Sequence, residues 1–349
     1  MQFGVTFVPD PPCSRFVELV QLAEANGFDH AWTYDSHVLF PDAYPFLTVA
    51  ATQTSTIRLG HCVTNPGTRE PTVTASLYAT LQGISGGRMA LGIGRGDSAQ
   101  RVLGKAPVKL REFEEALQMI RRLMNGEPHT WQGVDLEMTW AQNQPRIPLF
   151  VAGYGPRALA SAGRAGDGVI IALADPELLE WMMGHARDAA REEGRDPDEL
   201  ELIACAPAYI GNDRQVARDQ VRWFPPMVTN HVADMVTHHD PDSLPESLTQ
   251  LVRRREQFDH DYEDYSKHSR VDDPHANFVD DDTCDRFCFL GTPEEHVEKI
   301  RALEQLGVTQ CNVYVMAGNQ EEIIKTYGQQ VIPAFRSRTG VAGAAKEAQ

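Results

Sequence analysis

The sequence predicts an α/β fold, a (β/α)8 TIM barrel with an insertion after strand seven. Three observations carry that expectation. Short apolar runs alternate with segments of helical spacing along most of the chain, the pattern of parallel strands joined by crossover helices. Hairpin signals are absent from this alternation. The apolar runs also end in polar or glycine-rich residues, which in a parallel barrel gather at the carboxyl ends of the strands, where ligands bind. Length alone leaves one large barrel or two smaller domains open, because 349 residues can bury either kind of core.

Taken in order, residues 2–8 form strand one, with Phe3, Val5, Phe7 and Val8 apolar, and stop at Pro9. Phe16, Leu19, Val20, Leu22 and Ala23 recur at helical spacing until Asn26 and Gly27 end the helix. Strand two, 28–34, ends in Asp35, Ser36 and His37. A helix over 44–54 leads to strand three, 57–65, where Pro66 stops the ladder for want of an N–H. A helix over 71–84 and strand four, 88–94, follow, opening into Arg95, Gly96, Asp97 and Ser98. Phe113, Leu117, Ile120 and Leu123 stripe a helix over 109–125, and 127–146 reads as a short excursion, a small hairpin. Strand five (148–152), a helix (156–165), strand six (168–172), a helix (176–193) and strand seven (200–209) continue the rhythm.

Residues 211–285 break it. A helical start gives way to a polar stretch over 237–285, rich in Asp, His and Arg. An insertion at this place belongs over the mouth, so it is expected to act as a lid rather than as a separate domain. A strand-like run at 286–290, a helix over 293–306, strand eight at 310–316 and a last helix over 320–335 complete the chain. Residues 340–349 read as a frayed tail.

Composition narrows the function. A net charge of −17, from 49 acidic and 32 basic residues, argues against nucleic acid and anionic membranes as partners. An anionic ligand must therefore be held locally, by arginines or helix N-termini. The start of the chain lacks a basic segment before its apolar residues, and no apolar stretch reaches the length of a membrane span. Six scattered cysteines among apolar neighbours predict reduced thiols in a cytoplasmic protein. Cys284 and Cys288 lack a second pair at zinc spacing, so no metal site is expected, and His238 and His239 read as solvated.

The candidate site residues all follow predicted strands. Asp35 and His37 pair a carboxylate with an imidazole, which suits proton transfer or the positioning of a carbonyl. Helix capping by Asp35 and simple packing of His37 fit the spacing equally. Gly94, Arg95, Gly96, Asp97 and Ser98 form one glycine turn, short of a full dinucleotide fingerprint. Gly153, Tyr154, Gly155, Pro156 and Arg157 form another, where glycines allow close backbone approach and a helix begins. Arg157 adds a charged fork there. A nucleophile elbow is absent.

At these positions the chain resembles a known family. Residues 1–10, Ala31-Trp-Thr-Tyr-Asp-Ser-His37, Leu59-Gly-His-Cys-Val-Thr-Asn-Pro66 and Leu91-Gly-Ile-Gly-Arg-Gly-Asp97 are similar to the luciferase-like monooxygenase superfamily. Within it they are most similar to the coenzyme F420-dependent branch that includes methylenetetrahydromethanopterin reductase. The resemblance implies a barrel that binds reduced flavin or deazaflavin at the strand ends. It also implies a non-prolyl cis peptide at Cys62–Val63, behind the ring. Cys62, Val63, Thr64 and Asn65 would then line the ring with Asp35 and His37, and the two glycine turns would take the phosphate-bearing chain. The implied activity is hydride exchange between F420 and a small organic substrate in a homodimer or higher homo-oligomer. The alternatives are an FMN-dependent monooxygenase fed by a flavin reductase and a flavin-binding barrel without turnover. Arg69, Arg95, Arg157 and Arg164 fall near strand ends and would make a basic rim for the anionic tail of F420. One departure concerns strand one, where the reductase carries a glutamate and this chain has Thr6.

Overall fold

A computed structural model describes residues 1–238, 244–258, 274–316 and 318–336. Eight parallel strands close on themselves. They are β1 (Gln2–Phe7), β2 (His30–Thr33), β3 (Arg58–Thr64), β4 (Met89–Ile93), and then β7 (Leu149–Ala152), β8 (Gly168–Ile171), β9 (Glu201–Ile210) and β11 (Gln310–Tyr314). Closure comes where β8 pairs with β9, β9 with β11 and β11 with β1, all in parallel. The strand–helix alternation of the sequence is thus a barrel. Outside the ring, β5 (His129–Trp131) and β6 (Val134–Leu136) form the expected small hairpin.

Two expectations at the end of the chain need correction. Residues 286–290 are not one strand: the helix Asp281–Phe287 runs into them, and β10 (Phe289–Gly291) pairs with the far end of β9. The helix wins because Asp280 caps it, accepting from the Thr283 amide at 2.9 Å, and because Asp281 and Asp282 favour its N-terminus. The final helix is also broken, into Gln320–Thr326, a π-helical turn at Tyr327–Val331 and a short helix Pro333–Arg336. Pro333 has no N–H with which to continue the ladder.

The barrel interior is filled by side chains, with Trp32 the largest. A Cβ on Gly60 would stand 2.0 Å from the Ala90 carbonyl oxygen and 2.7 Å from the Trp32 ring, so strand three takes a glycine to admit the indole. Trp32 Nε1 donates to Gln310 Oε1 at 2.9 Å, and the His30 ring stacks on the indole with centroids 5.3 Å apart. Two residues past Gln310 on β11, Asn312 Nδ2 donates to Thr6 Oγ1 of β1 at 2.9 Å and lies 3.3 Å from the Cys205 sulfur. Thr6 therefore sits in a neutral, fully buried pair. All six cysteines are free thiols, and all but Cys13 are buried.

The insertion follows β9 as helices Arg214–Val221, Phe224–His238 and Glu246–Phe258, a turn at Pro274–Phe278 and the helix Asp281–Phe287. Its two ends are clasped by ions: Arg218 pairs with Asp285 at 2.6 Å, and Arg222 with Asp281 at 2.6 Å. Residues 239–243 and 259–273 of the expected polar stretch, His239 among them, lie outside the described residues, as does the expected tail. Among the described residues no helix is long and apolar enough to cross a membrane, and no group of His, Cys, Asp and Glu is placed to hold a metal.

Candidate active site

The carboxyl end of β3 organises the mouth. The Cys62–Val63 peptide is cis, and the pairing register of β3 on β4 shifts between His61 and Thr64. Thr64, fully buried, donates its hydroxyl proton to Asp35 Oδ2 at 2.6 Å. Its carbonyl oxygen accepts from the Gly94 amide at 2.9 Å, which seats the end of β4 beside it. The next residue, Asn65, turns the chain: its Oδ1 accepts from the amides of Gly67 at 3.0 Å and Thr68 at 3.1 Å. Gly96 packs directly on that amide side chain. It has a φ of 83° and a Cβ there would stand 2.8 Å from Asn65, two reasons for glycine at this turn.

From Gly96 the arc continues. Asp97 opens a short helix, pairs with Arg101 at 2.6 Å, and lies 3.3 Å from Nδ1 of His231 on the insertion. The His231 ring in turn stacks on Tyr154, with centroids 5.1 Å apart and planes at 16°. The Tyr154 hydroxyl donates to the Ala172 carbonyl at 3.2 Å, tying the second glycine turn to the end of β8. At the start of the same helix, two turns before His231, Phe224 meets Tyr314, which ends β11, at 5.9 Å edge to face. The helix Phe224–His238 therefore reaches from the end of β11 to the loops after β4 and β7.

The predicted residues fall unevenly along this arc. Asp35, Thr64, Gly94 and Val63 are joined by direct contacts, as are Asn65 and Gly96, and His231 links Asp97 to Tyr154, the neighbour of Gly153. Cys62 is buried, with its sulfur 3.8 Å from that of Cys205. Ser98 lies partly buried in the short helix after Gly96. Arg95 turns its Nε to the Val108 carbonyl at 2.6 Å. Gly155 and Pro156 begin the helix Pro156–Ala165, whose N-cap, Gly155, supplies no side-chain acceptor to the first amides. Arg157 is exposed beside them. His37 is exposed on the turn after β2, and no hydrogen bond joins it to Asp35.

The luciferase-like monooxygenase family model matches residues 1–310. The chain belongs to this family. The methylenetetrahydromethanopterin reductase of Archaeoglobus fulgidus is 31% identical, covering 96% of this chain and 100% of that protein. An F420-dependent glucose-6-phosphate dehydrogenase of Microbacterium testaceum is 26% identical, over 91% of this chain and 92% of that one. Among solved structures, the coenzyme F420-dependent tetrahydromethanopterin reductase of Methanopyrus kandleri superposes with a TM-score of 0.74 at 26% identity, covering 96% and 99% of the two chains.

In this luciferase-like barrel the expected four-arginine rim is partly spent. Arg69 is ion-paired to Asp42 and lies over the Tyr44 ring, 4.4 Å from its centroid, and Arg164 is ion-paired to Glu114. Their carboxylate partners stand 27 and 50 residues away, too far to read from local spacing. Sequence reading also missed Tyr44. It starts the helix Ala43–Gln53, yet its hydroxyl lies 3.2 Å from Thr64 Oγ1. The available signal was its position just after Asp42, a helix N-cap facing the strand ends. His61 was passed over as well: its Nδ1 lies 2.6 Å from the Tyr78 hydroxyl, and burial pushes its pKa down to about 4.

Proposed function

We propose that this chain is an F420-dependent oxidoreductase that exchanges a hydride between the deazaflavin and a small organic substrate at the barrel mouth. The observation that carries the reading is the divided chemistry of the rim. One end presents Asp35, a buried carboxylate and thus an acceptor only, with one oxygen bound by Thr64. The other end presents an uncapped helix N-terminus with Arg157 beside it, a cradle for an anion. A ligand with a donor-bearing ring and an anionic chain fits that division, and F420 is such a ligand. The end-to-end likeness to proteins named for F420 supports the same choice.

F420, when bound, supplies the hydride chemistry. The chain's own work is orientation, proton handling and exclusion of water. Asp35, its carboxylate held by Thr64, would accept from an N–H or O–H of the bound group. Cys62, Val63 and Gly94 would back it, at a place where a Cβ on Gly94 would come 3.2 Å from Val63. His37, exposed on the turn after β2, follows Asp35 in the sequence. The turn Gly153–Arg157 and the turn Gly94–Ser98 would hold the anionic chain. The insertion 211–285 acts as the lid, with Phe224 and His231 its contacts on the rim. Because Thr6 is engaged with Asn312, no acid or base comes from β1, and we place the substrate outside the methanogenic pterins.

The test is anaerobic mixing of purified protein with oxidised F420 and secondary alcohols or sugar phosphates, and separately with reduced F420 and methylenetetrahydromethanopterin, following the deazaflavin absorbance. Reduction of F420 by an alcohol or a sugar phosphate is expected. Oxygen consumption with reduced FMN, and no exchange with F420 for any of these compounds, would overturn the proposal in favour of a monooxygenase.

A further inference from the structure

Beneath Asp35 lies a short hydrogen-bonded chain that runs past Thr64 to Tyr44, a residue the proposed function leaves without a role. Asp35 is acceptor-only as a carboxylate, so the 2.6 Å contact with Thr64 consumes the single hydroxyl proton of the threonine. Thr64 Oγ1 is left with lone pairs alone, and the hydroxyl that meets it, 3.2 Å away, is that of Tyr44. The polarity is therefore fixed: Tyr44 donates to Thr64, and Thr64 donates to Asp35. Burial, and then the charge of Asp35, hold the Tyr44 phenol well above its usual pKa, which keeps it a donor.

Tyr44 is itself clamped on every side. Its backbone amide donates to Asp42 Oδ1 at 3.1 Å, and its carbonyl accepts from Thr48 Oγ1 at 2.8 Å. The Arg69 guanidinium lies over the ring, 4.4 Å from the centroid, and is itself paired to Asp42. The neutral His61 ring packs at 4.3 Å. A tyrosine needed only to fill space would not require its hydroxyl aimed at a buried threonine. An aimed and clamped hydroxyl suits the task of fixing a rotor.

We propose that Tyr44 is a positioning residue: through Thr64 it locks the Asp35 carboxylate so that Oδ1 remains directed at a hydrogen-bond donor on the bound cofactor. This rests on the reading of Asp35 given above. It also changes the role of Thr64, from a ligand contact to the middle of a relay with no donor left for ligand.

A double-mutant cycle read by F420 binding tests it, with affinity taken from the change in deazaflavin fluorescence. Tyr44→Phe keeps the ring between Arg69 and His61 and removes only the hydroxyl. It is expected to weaken F420 binding about fivefold, the size of one hydrogen bond, and Asp35→Asn about tenfold. In the Asp35→Asn background Tyr44→Phe should cost less than about twofold, since the charged acceptor that the relay positions for the ligand is gone. Thr64→Val should behave like Tyr44→Phe, and Thr64→Ser, which keeps the hydroxyl, should restore affinity to within about twofold. An equal loss from Tyr44→Phe in both backgrounds, or none in the wild type, would overturn the relay while leaving Asp35 at the ring. Unchanged affinity in Asp35→Asn would instead overturn the placement of Asp35, and the relay with it.

Discussion

The two halves of the mouth are built on opposite plans. On the side of β2 and β3 the site is made of side chains already committed to one another: Asp35 to Thr64, Thr64 to Tyr44, Tyr44 between Arg69 and His61, His61 to Tyr78. On the side of β4 and β7 glycine turns, an uncapped helix start and the exposed Arg157 take the larger part, beside the contacts of Asp97 with His231 and of His231 with Tyr154. The first plan fixes a few atoms in place, as the reacting end of a ligand requires. The second offers amides and charge along a surface, which suits an anionic chain that needs neutralising more than aiming. The helix Phe224–His238 touches both sides, through Phe224 and His231.

If that division is right, damage to the two halves should be of different kinds. Asp35→Asn should cut turnover by about a hundredfold, because it removes a charge-assisted hydrogen bond from the reacting end. A fall in substrate or cofactor affinity alone, with the rate at saturation intact, would erase the contrast between the halves.

A second difference concerns acid. His61, in the side-chain half, is fully buried, and desolvation pushes its pKa down to about 4. In the unfolded chain the group titrates near its ordinary value of about 6.5. Between those values the unfolded state binds a proton that the folded state does not, so stability falls as pH falls through that window. The loss attributable to His61 at pH 5 is on the order of 2 kcal/mol. His30 and His296, buried and pushed down to about 3 and about 4, add to the same trend. Urea midpoints at neutral pH and near pH 5 measure it. His61→Gln should flatten part of the slope, and an unaltered slope would mean that His61 is not held neutral.

The smallest effect is expected on the backbone side. Arg157→Ala should weaken F420 binding by about threefold to fivefold, as for one exposed charge, and should lower the salt dependence of what remains. An unchanged salt slope would reduce the second glycine turn to a plain strand–helix connection.

Much of this was legible in the sequence, and the division explains which part. The glycine turns and strand ends announce themselves locally, because glycine, proline and the change from apolar to polar residues are local signals, and all eight barrel strands stand where the pattern put them. The cis bond at Cys62–Val63 came from resemblance and is present. The committed half was hardly visible. Tyr44 meets Thr64 across 20 residues and Arg69 meets Asp42 across 27, so neither pairing could be read before the barrel brings β2 and β3 together. The same blindness counted Arg69 and Arg164 as free rim charges when nearby carboxylates already hold them. At the chain's end a capped acidic helix start, Asp280 to Asp282, overrode the strand-like look of 286–290.

The central claim, a rim divided between a ring and an anionic tail, is tested most directly by titrating the purified protein with F420 and with FMN side by side at two salt concentrations. The account predicts that F420 binds more tightly, and that its advantage over FMN shrinks at the higher salt as the charges of the longer anionic chain are screened. Tighter binding of FMN, or an F420 advantage indifferent to salt, would contradict it.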